Sequence, residues 1–407
     1  MPLDPVETLQ RLIATPSVNP MGRGISEPIH GESRLTDLLV NLCEEHGWPW
    51  IRQPVHDGRD NLLVLIEGSP LPRSGGELLL WDTHQDTVPV EGMTVDPFGG
   101  EVRNGRVYGR GACDVKGSMA SMLAALSRLT RLSPRLSRKG RGIEERPTIV
   151  LALTANEECG FTGAREVAAS LVATGQFFPR PPDAAIVAEP TGLNVVVAHQ
   201  GVVRWRCHTV GRAAHTSRPD AGINAIYAMA KVVQAIERYH SQRMASAAVH
   251  PLCGRPSVCV STISGGVGIN TVPERATIEI DRRLAPAERP RAAYHELVRY
   301  VAENADIGRC RIQHDEPFME SAGLADGRNR PVAERVAAVV GEHGRECDLV
   351  GVPYGTDAAA IAAAGVPTVV FGPGSIEQAH TADEFIDIDE LRLATEVFYR
   401  IACDGLR

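Results

Sequence analysis

Three things are missing from this 407-residue sequence, and each removes a class of protein. No apolar run approaches the roughly 20 residues that a bilayer-spanning helix needs. There is no surplus of positive charge. Lys and Arg number 42 against 50 Asp and Glu, a formal net charge of -8, which speaks against general nucleic-acid binding. The nine cysteines are odd in number and form no CxxC pair. In a chain of this size they read as reduced thiols of a cytoplasmic protein rather than a disulfide framework. A GxSxG elbow after a strand is lacking too, which argues against a serine hydrolase of that kind. The opening MPLDPVETLQRLIATPSV carries acidic residues on an amphipathic helical pattern and does not read as a signal peptide. No internal repeat or low-complexity tract stands out.

What is present is a set of buried apolar runs with odd polar ends. LLLWDTHQD ends in His84 and Asp86, GRGACDVKG holds Asp114, and TIVLALTANEECG carries Glu157 and Glu158. AAIVAEPTG carries Glu189, and TVVFGPGSIEQAH ends in His380. Runs of four to eight Val, Ile and Leu residues read as strands buried on both faces of a parallel sheet. In such sheets ligands bind outside the carboxyl ends of the strands, so these polar residues point to one crevice.

The α/β rhythm over residues 1–199 predicts a mostly parallel sheet with helices on both faces. From about 200 to 314 the order changes to βαββαβ, expected of a small split βαβ domain, with a helix over about 220–240. The first rhythm resumes over 315–407. One domain is thus inserted into another. Residues 128–147 contain seven Lys or Arg and fit neither domain; a solvated surface insertion is the favoured reading over an anion-binding arm.

His84, Asp114, Glu158, Glu189 and His380 have the stoichiometry of a site for two divalent ions. Hydrolysing an amide needs a nucleophile at neutral pH and a sink for the developing oxyanion. Two ions roughly 3.5–4 Å apart supply both by ionising a bridging water and polarising the carbonyl. Asp114 is the natural bridge. Mixed nitrogen and oxygen ligation suits Zn(II), with Co(II) or Mn(II) as substitutes. Asp86, two residues past His84 in extended chain, is placed to accept a hydrogen bond from the imidazole and fix its tautomer. Of the adjacent Glu157 and Glu158, one can ligate while its neighbour serves as general base. Cys113 and Cys159 adjoin these residues, so a thiolate site is an alternative, with packing into the sheet favoured.

His84-Gln85-Asp86, Gly111 to Gly117, Asn156 to Gly160, Ala188 to Thr191 and Gln378 to Thr381 resemble the ordered motifs of the M20 metallopeptidases. The likeness covers most of the chain. Gly355-Thr356-Asp357-Ala358 and Phe371-Gly372-Pro373-Gly374 lean toward the acetylornithine deacetylase and succinyl-diaminopimelate desuccinylase branch. The resemblance implies a catalytic domain of zinc-aminopeptidase type with an inserted lid and dimerisation domain. It implies one ion on His84, Asp114 and Glu189 and another on Asp114, Glu158 and His380, with Glu157 the base. It further implies a cis peptide at Asp114-Val115. In the inserted domain, Gly211 to Ser217 resembles a signature in which His215 reaches the partner subunit's site to stabilise the oxyanion. Asn270 and Arg283 match residues that hold the substrate. Arg283 is preferred over Arg282 on register, a salt bridge to a neighbouring acid being the plain alternative. The other histidines read as surface or core. The implied activity is removal of an acyl group from an N-acyl amino acid by a metal-bridged hydroxide in a cytoplasmic homodimer. A dipeptidase or carboxypeptidase using the same site, a desuccinylase, and a non-catalytic metal-binding scaffold are the alternatives.

Overall fold

The computed structural model describes residues 1–406 apart from 26–27, 57, 132–145, 174 and 176. Most of the basic stretch 128–147 therefore lies outside the described residues. Two compact units are present, 1–197 with 326–350 and 356–407, and 198–325 with 351–355. The second unit runs eleven residues past the expected edge at 314, because the strand Met319–Ser321 pairs with Gly201–Val210 and so belongs to its sheet. Among the described residues no helix is long and apolar enough to cross a membrane.

The first unit is organised on an eight-stranded sheet. Its middle is parallel: Thr148–Thr154 pairs with Leu78–His84, which pairs with Ala184–Val187, which pairs with Thr368–Val370. Every residue of these four strands is buried. That is the reason their sequences are continuous apolar runs rather than alternating ones. Antiparallel neighbours flank the middle. Arg59–Ile66 pairs with Thr148–Thr154 and forms a hairpin with Trp50–His56, while Val195–His199 touches the other side at a single residue pair, Val370 with Val196.

Helices cover the sheet. Pro5–Ile13 starts on an Asp4 cap, whose side chain accepts from the N–H groups of Val6 and Glu7, and it buries Leu9, Leu12 and Ile13. Lys116–Arg131 lies almost wholly in the interior and packs on Ile388–Asp404. Ser33–His46 ends on Gly47 in the left-handed conformation (φ 67°), where a side chain would be strained.

The second unit has its own core. Gly201–Val210 and Arg275–Leu284 pair over ten residues, with Ser257–Gly265 outside them, and the helices Ala225–Tyr239 and Pro290–Asn304 pack through Met229, Val232, Ile236, Leu297 and Val301. The first of these helices begins at Ala225, not near 220 as expected. Asn224 is its cap, accepting from the N–H groups of Ile226 and Tyr227, and Pro219–Ala221 forms a separate tight turn. With Arg311–His314 the order is βαββαβ, followed by Met319–Ser321.

Candidate active site

Five polar candidates of the first unit stand at or beyond the end of a middle strand. His84 is the last residue of Leu78–His84, Glu157 and Glu158 follow Thr148–Thr154, Glu189 follows Ala184–Val187, and His380 lies beyond Thr368–Val370. Asp114 sits on the loop before the helix Lys116–Arg131. The peptide Asp114-Val115 is cis, the form the resemblance implied.

These residues converge. His84 Nε2 lies 3.0 Å from Asp114 Oδ1, and His380 Nε2 lies 3.3 Å from Asp114 Oδ2. The Asp114 carboxylate thus turns one oxygen to each imidazole. His380 Nε2 is also 3.3 Å from Glu158 Oε2. Candidate ligand atoms of His84, Asp114 and Glu158 lie within 4.8 Å of one another, as do those of His84, Glu157 and Glu189. His84 belongs to both groups.

The charge balance of this cluster follows from burial and from the closeness of its acids. Burial, and then repulsion from Glu189, pushes the Glu157 carboxyl well above the usual carboxylate range. Burial and the Asp114 charge push Glu158 up to about 7, and the same two causes raise Glu189. Burial would raise Asp114 as well, but hydrogen bonds from His380 and His84 outweigh it and hold Asp114 below the ordinary range. His380 is raised to about 10 by Asp114 and Glu158. His84 is raised despite burial, because the bond to Asp114 and the charge of Glu157 favour imidazolium. Protons on imidazoles compensate a knot of acids that metal cations would otherwise compensate. Glu158 Oε1 is buried with no hydrogen-bond partner. Open carboxylate oxygens beside imidazole nitrogens fit a divalent pair. The thiolate alternative fits less well: the Cys113 Sγ donates to the Ser375 carbonyl at 3.2 Å, and burial pushes its thiol well up. No disulfide joins any of the nine cysteines.

Asp86 does not act as its spacing suggested. The His84 Nδ1 lies 2.9 Å from the main-chain oxygen of Asp86, while the Asp86 carboxylate is 3.7 Å away. The strand ends at His84, so the period-two argument no longer applies at residue 86. The imidazole is still oriented by Asp86, through its backbone. The carboxylate turns to another task. It accepts the N–H groups of Glu157 and Glu158, each at 3.1 Å, and the Asn19 side-chain amide at 2.7 Å. The Glu157-Glu158 pair is also not extended chain as expected, but a turn entered through Asn156 at φ 61°.

A buried network behind this turn carries no sequence motif. Glu32 and Arg59 form a two-pronged ion pair, Arg59 Nε at 2.6 Å and Nη2 at 2.5 Å. Glu32 accepts the Asn156 N–H at 3.0 Å, and Arg59 and Asn19 both donate to the Asn156 side-chain oxygen at 3.0 Å. Asp82 and Asp357, both fully buried, lie close enough that the Asp357 charge, after burial itself, raises Asp82 well above its ordinary range.

His215, Asn270 and Arg283 belong to the second unit. His215 pairs in a short ladder with Thr271, next to Asn270, and both His215 and Asn270 are exposed. The His215 Nδ1 accepts the Ser217 N–H at 3.1 Å. Arg283 is engaged by Asp281, Nε to Oδ1 at 2.8 Å, the plain alternative named for it. Arg282 is fully buried and reaches Glu288 at 2.8 Å.

Comparison with known proteins follows the same outline. Residues 80–404 match the model of peptidase family M20/M25/M40. Acetylornithine deacetylases of Photorhabdus laumondii and Proteus mirabilis are each 32% identical over 401 residues, covering 94% of this chain and 92% of theirs. Among solved structures, an M20 family metallo-carboxypeptidase from Sulfolobus solfataricus shares the fold with a TM-score of 0.76 at 17% identity, over 99% of both chains. Human carnosine dipeptidase 1 gives 0.74 at 15% identity, over 99% of this chain and 96% of that one. With the family model matched over residues 80–404 and relatives 32% identical over most of its length, the chain belongs to peptidase family M20/M25/M40, as a hydrolase of amide bonds.

Proposed function

We propose that this protein removes the acyl group from a small N-acyl amino acid, with acetylornithine-like substrates the first to examine. The single observation that carries the reading is the Asp114 carboxylate, one oxygen toward His84 and the other toward His380. Asp114 with His84 and Glu189 would hold one divalent ion, and Asp114 with Glu158 and His380 the other. Zn(II) is the first choice, with Co(II) or Mn(II) as substitutes. When bound, such ions supply Lewis acidity toward the acyl carbonyl and acidify water.

Glu157 would be the base. It is buried beside His84 and Glu189, and its burial and its neighbours raise its carboxyl well above the usual carboxylate range. It takes the proton of the attacking water and passes it to the leaving amine. Asp86 fixes the turn that carries Glu157, and its backbone fixes the His84 ring. His215 would donate to the oxyanion from its Nε2, since Nδ1 is occupied as an acceptor. Arg283 would grip the substrate carboxylate after leaving Asp281, and Asn270 would hold the substrate backbone.

His215 is exposed in its own subunit, and Val267 and Ile269, just before its ladder partner Thr271, are almost wholly exposed. Both facts support a homodimer in which His215 serves the neighbouring site. We place the protein in the cytoplasm, where its nine thiols would stay reduced. A dipeptidase or carboxypeptidase with the same residues is the second reading; the 32% identity to acetylornithine deacetylases favours deacylation.

The test is a panel of N-acetyl, N-succinyl and N-formyl amino acids set against dipeptides. Metal-stripped protein would be reloaded with Zn(II), Co(II) or Mn(II) for each. Turnover of acyl amino acids at least tenfold above dipeptides is expected; the reverse order establishes the peptidase reading. Glu157→Gln should keep two ions and lose nearly all turnover, and parent-like turnover would remove Glu157 from the role of base. Mixing Glu157→Gln with His215→Ala chains should restore activity in hybrid dimers if His215 works across subunits.

A further inference from the structure

Glu384 stands four residues past His380 and is fully buried. One loop surrounds it with donors. Its carboxylate accepts the N–H of Gly111 at 3.1 Å, of Cys113 at 2.9 Å and of Asp114 at 3.0 Å, and Arg110 Nη1 at 2.6 Å. Its main-chain oxygen accepts the Gly109 N–H at 3.0 Å. Five donors from the six residues 109–114 thus converge on one side chain and its own carbonyl.

The loop is shaped for this enclosure. Gly109 and Gly111 have φ of 147° and 83°, and a Cβ there would meet Ile13 Cγ2 at 2.6 Å and Thr87 Cγ2 at 2.9 Å. Successive backbone N–H groups turned inward make an anion-binding concavity. Here the protein fills that concavity with its own carboxylate, neutralised by Arg110.

We propose that Glu384 is a positioning residue for the metal pair. By gripping the N–H groups of Gly111, Cys113 and Asp114 it sets the Asp114 carboxylate between the two imidazoles. Because Glu384 shares its segment with His380, it also links the placement of two ligands that are 266 residues apart in the chain. The role rests on the metal reading above. It differs from filling space, since an isosteric amide keeps the volume but must turn its NH2 toward donors on one side or the other.

The test uses full-length protein, stripped of metal and titrated with Co(II), reading visible absorption, equivalents bound and affinity. Glu384→Gln and the shorter but still charged Glu384→Asp are compared with Val336→Ala, a core truncation in the helix Arg330–Glu342. Both Glu384 variants are expected to weaken Co(II) binding at least tenfold and to alter the visible band. Second-sphere partners of metal ligands typically carry about 10–100-fold in metal affinity. The reloaded variants should lose kcat with KM within about twofold of the parent. Val336→Ala should lower the melting temperature and leave the Co(II) titration unchanged. Glu384→Asp keeps the test decisive if Glu384→Gln does not fold. Parent-like Co(II) affinity in a folded Glu384 variant, or equal weakening in Val336→Ala, overturns the proposal. If the parent itself binds no Co(II), the metal reading falls and this proposal falls with it.

Discussion

The two units handle charge in opposite ways. In the first, the strands Leu78–His84 and Thr148–Thr154 are buried at every position, and charged groups gather inside where the strands end. In the second, Arg275–Leu284 alternates strictly between buried positions and ones at least partly open to solvent. Three of its ion pairs, Arg204 with Asp281, Arg283 with Asp281 and Arg206 with Glu279, stay on the wet face of the sheet, and the buried Arg282 is the exception, reaching out to the partly exposed Glu288. The lesson is that the dense cluster of buried charge in the first unit marks chemistry rather than stability. Desolvating ions is costly, and a fold that only had to be stable would place them as the second unit does.

The comparison can be broken from its strongest side first. Asp114→Asn should abolish uptake of both ions and lower turnover by roughly a thousand-fold or more, given several kcal/mol of lost electrostatic stabilisation. Amide-exchange protection in the second unit should remain as in the parent. Next, Arg59→Met leaves Glu32 buried without its cation, and a loss of about 3–5 kcal/mol on denaturant unfolding is expected. A loss below 1 kcal/mol would mean that this pair is not the strut of the Asn156 turn. In the second unit, Ile278→Ala cuts a fully buried side chain and should cost about 2–5 kcal/mol while leaving Co(II) uptake intact.

The net pH response should differ between the units, although Lys116 of the first, lowered to about 7 by burial, runs against its neighbours there. His380 is raised to about 10 and Glu158 and Asp357 to about 7, so in metal-free protein the protonated forms are the stabilised ones. That stability is present at low pH and is lost as pH rises, first through 4–7 for the carboxyls and then through 6.5–10 for His380. In the second unit burial lowers His199 and His314 to about 4, so stability present above 6.5 is lost as pH falls toward 4. Amide exchange of stripped protein at pH 5 and pH 9 should therefore loosen different units, and equal loosening of both would contradict this assignment. The smallest effect belongs to Arg206→Ala, a half-exposed pair worth about 1 kcal/mol or less.

Legibility in the sequence followed the same division. The middle strands were readable because burial on both faces leaves unbroken apolar runs, and the site was readable because each run ends in a misplaced His, Asp or Glu. The hairpin strand Trp50–His56 was not, since WIRQPVH is half-exposed and shows no clean alternation. The Glu32–Arg59–Asn156 network was invisible for a different reason. Its members lie 27 to 124 residues apart, and nothing local distinguishes an acid capping a helix from one anchoring a catalytic turn. Asp86 shows the limit of spacing arguments: residues two apart share a side only while the strand lasts. Glu384 announced itself only by following His380, and its meaning came from a loop near residue 111.

The strand Thr368–Val370 pairs with Ala184–Val187 on one side and touches Val195–His199 on the other, although it is made nearly two hundred residues later. A ribosome therefore completes the parallel middle of this sheet last. Until then the strand at 184–187 presents an open, wholly apolar edge, while the entire second unit is synthesised and free to fold. The nascent chain must keep that gap unfilled by foreign strands for nearly half of its translation, so slow or interrupted elongation past residue 190 prolongs its exposure to misassembly.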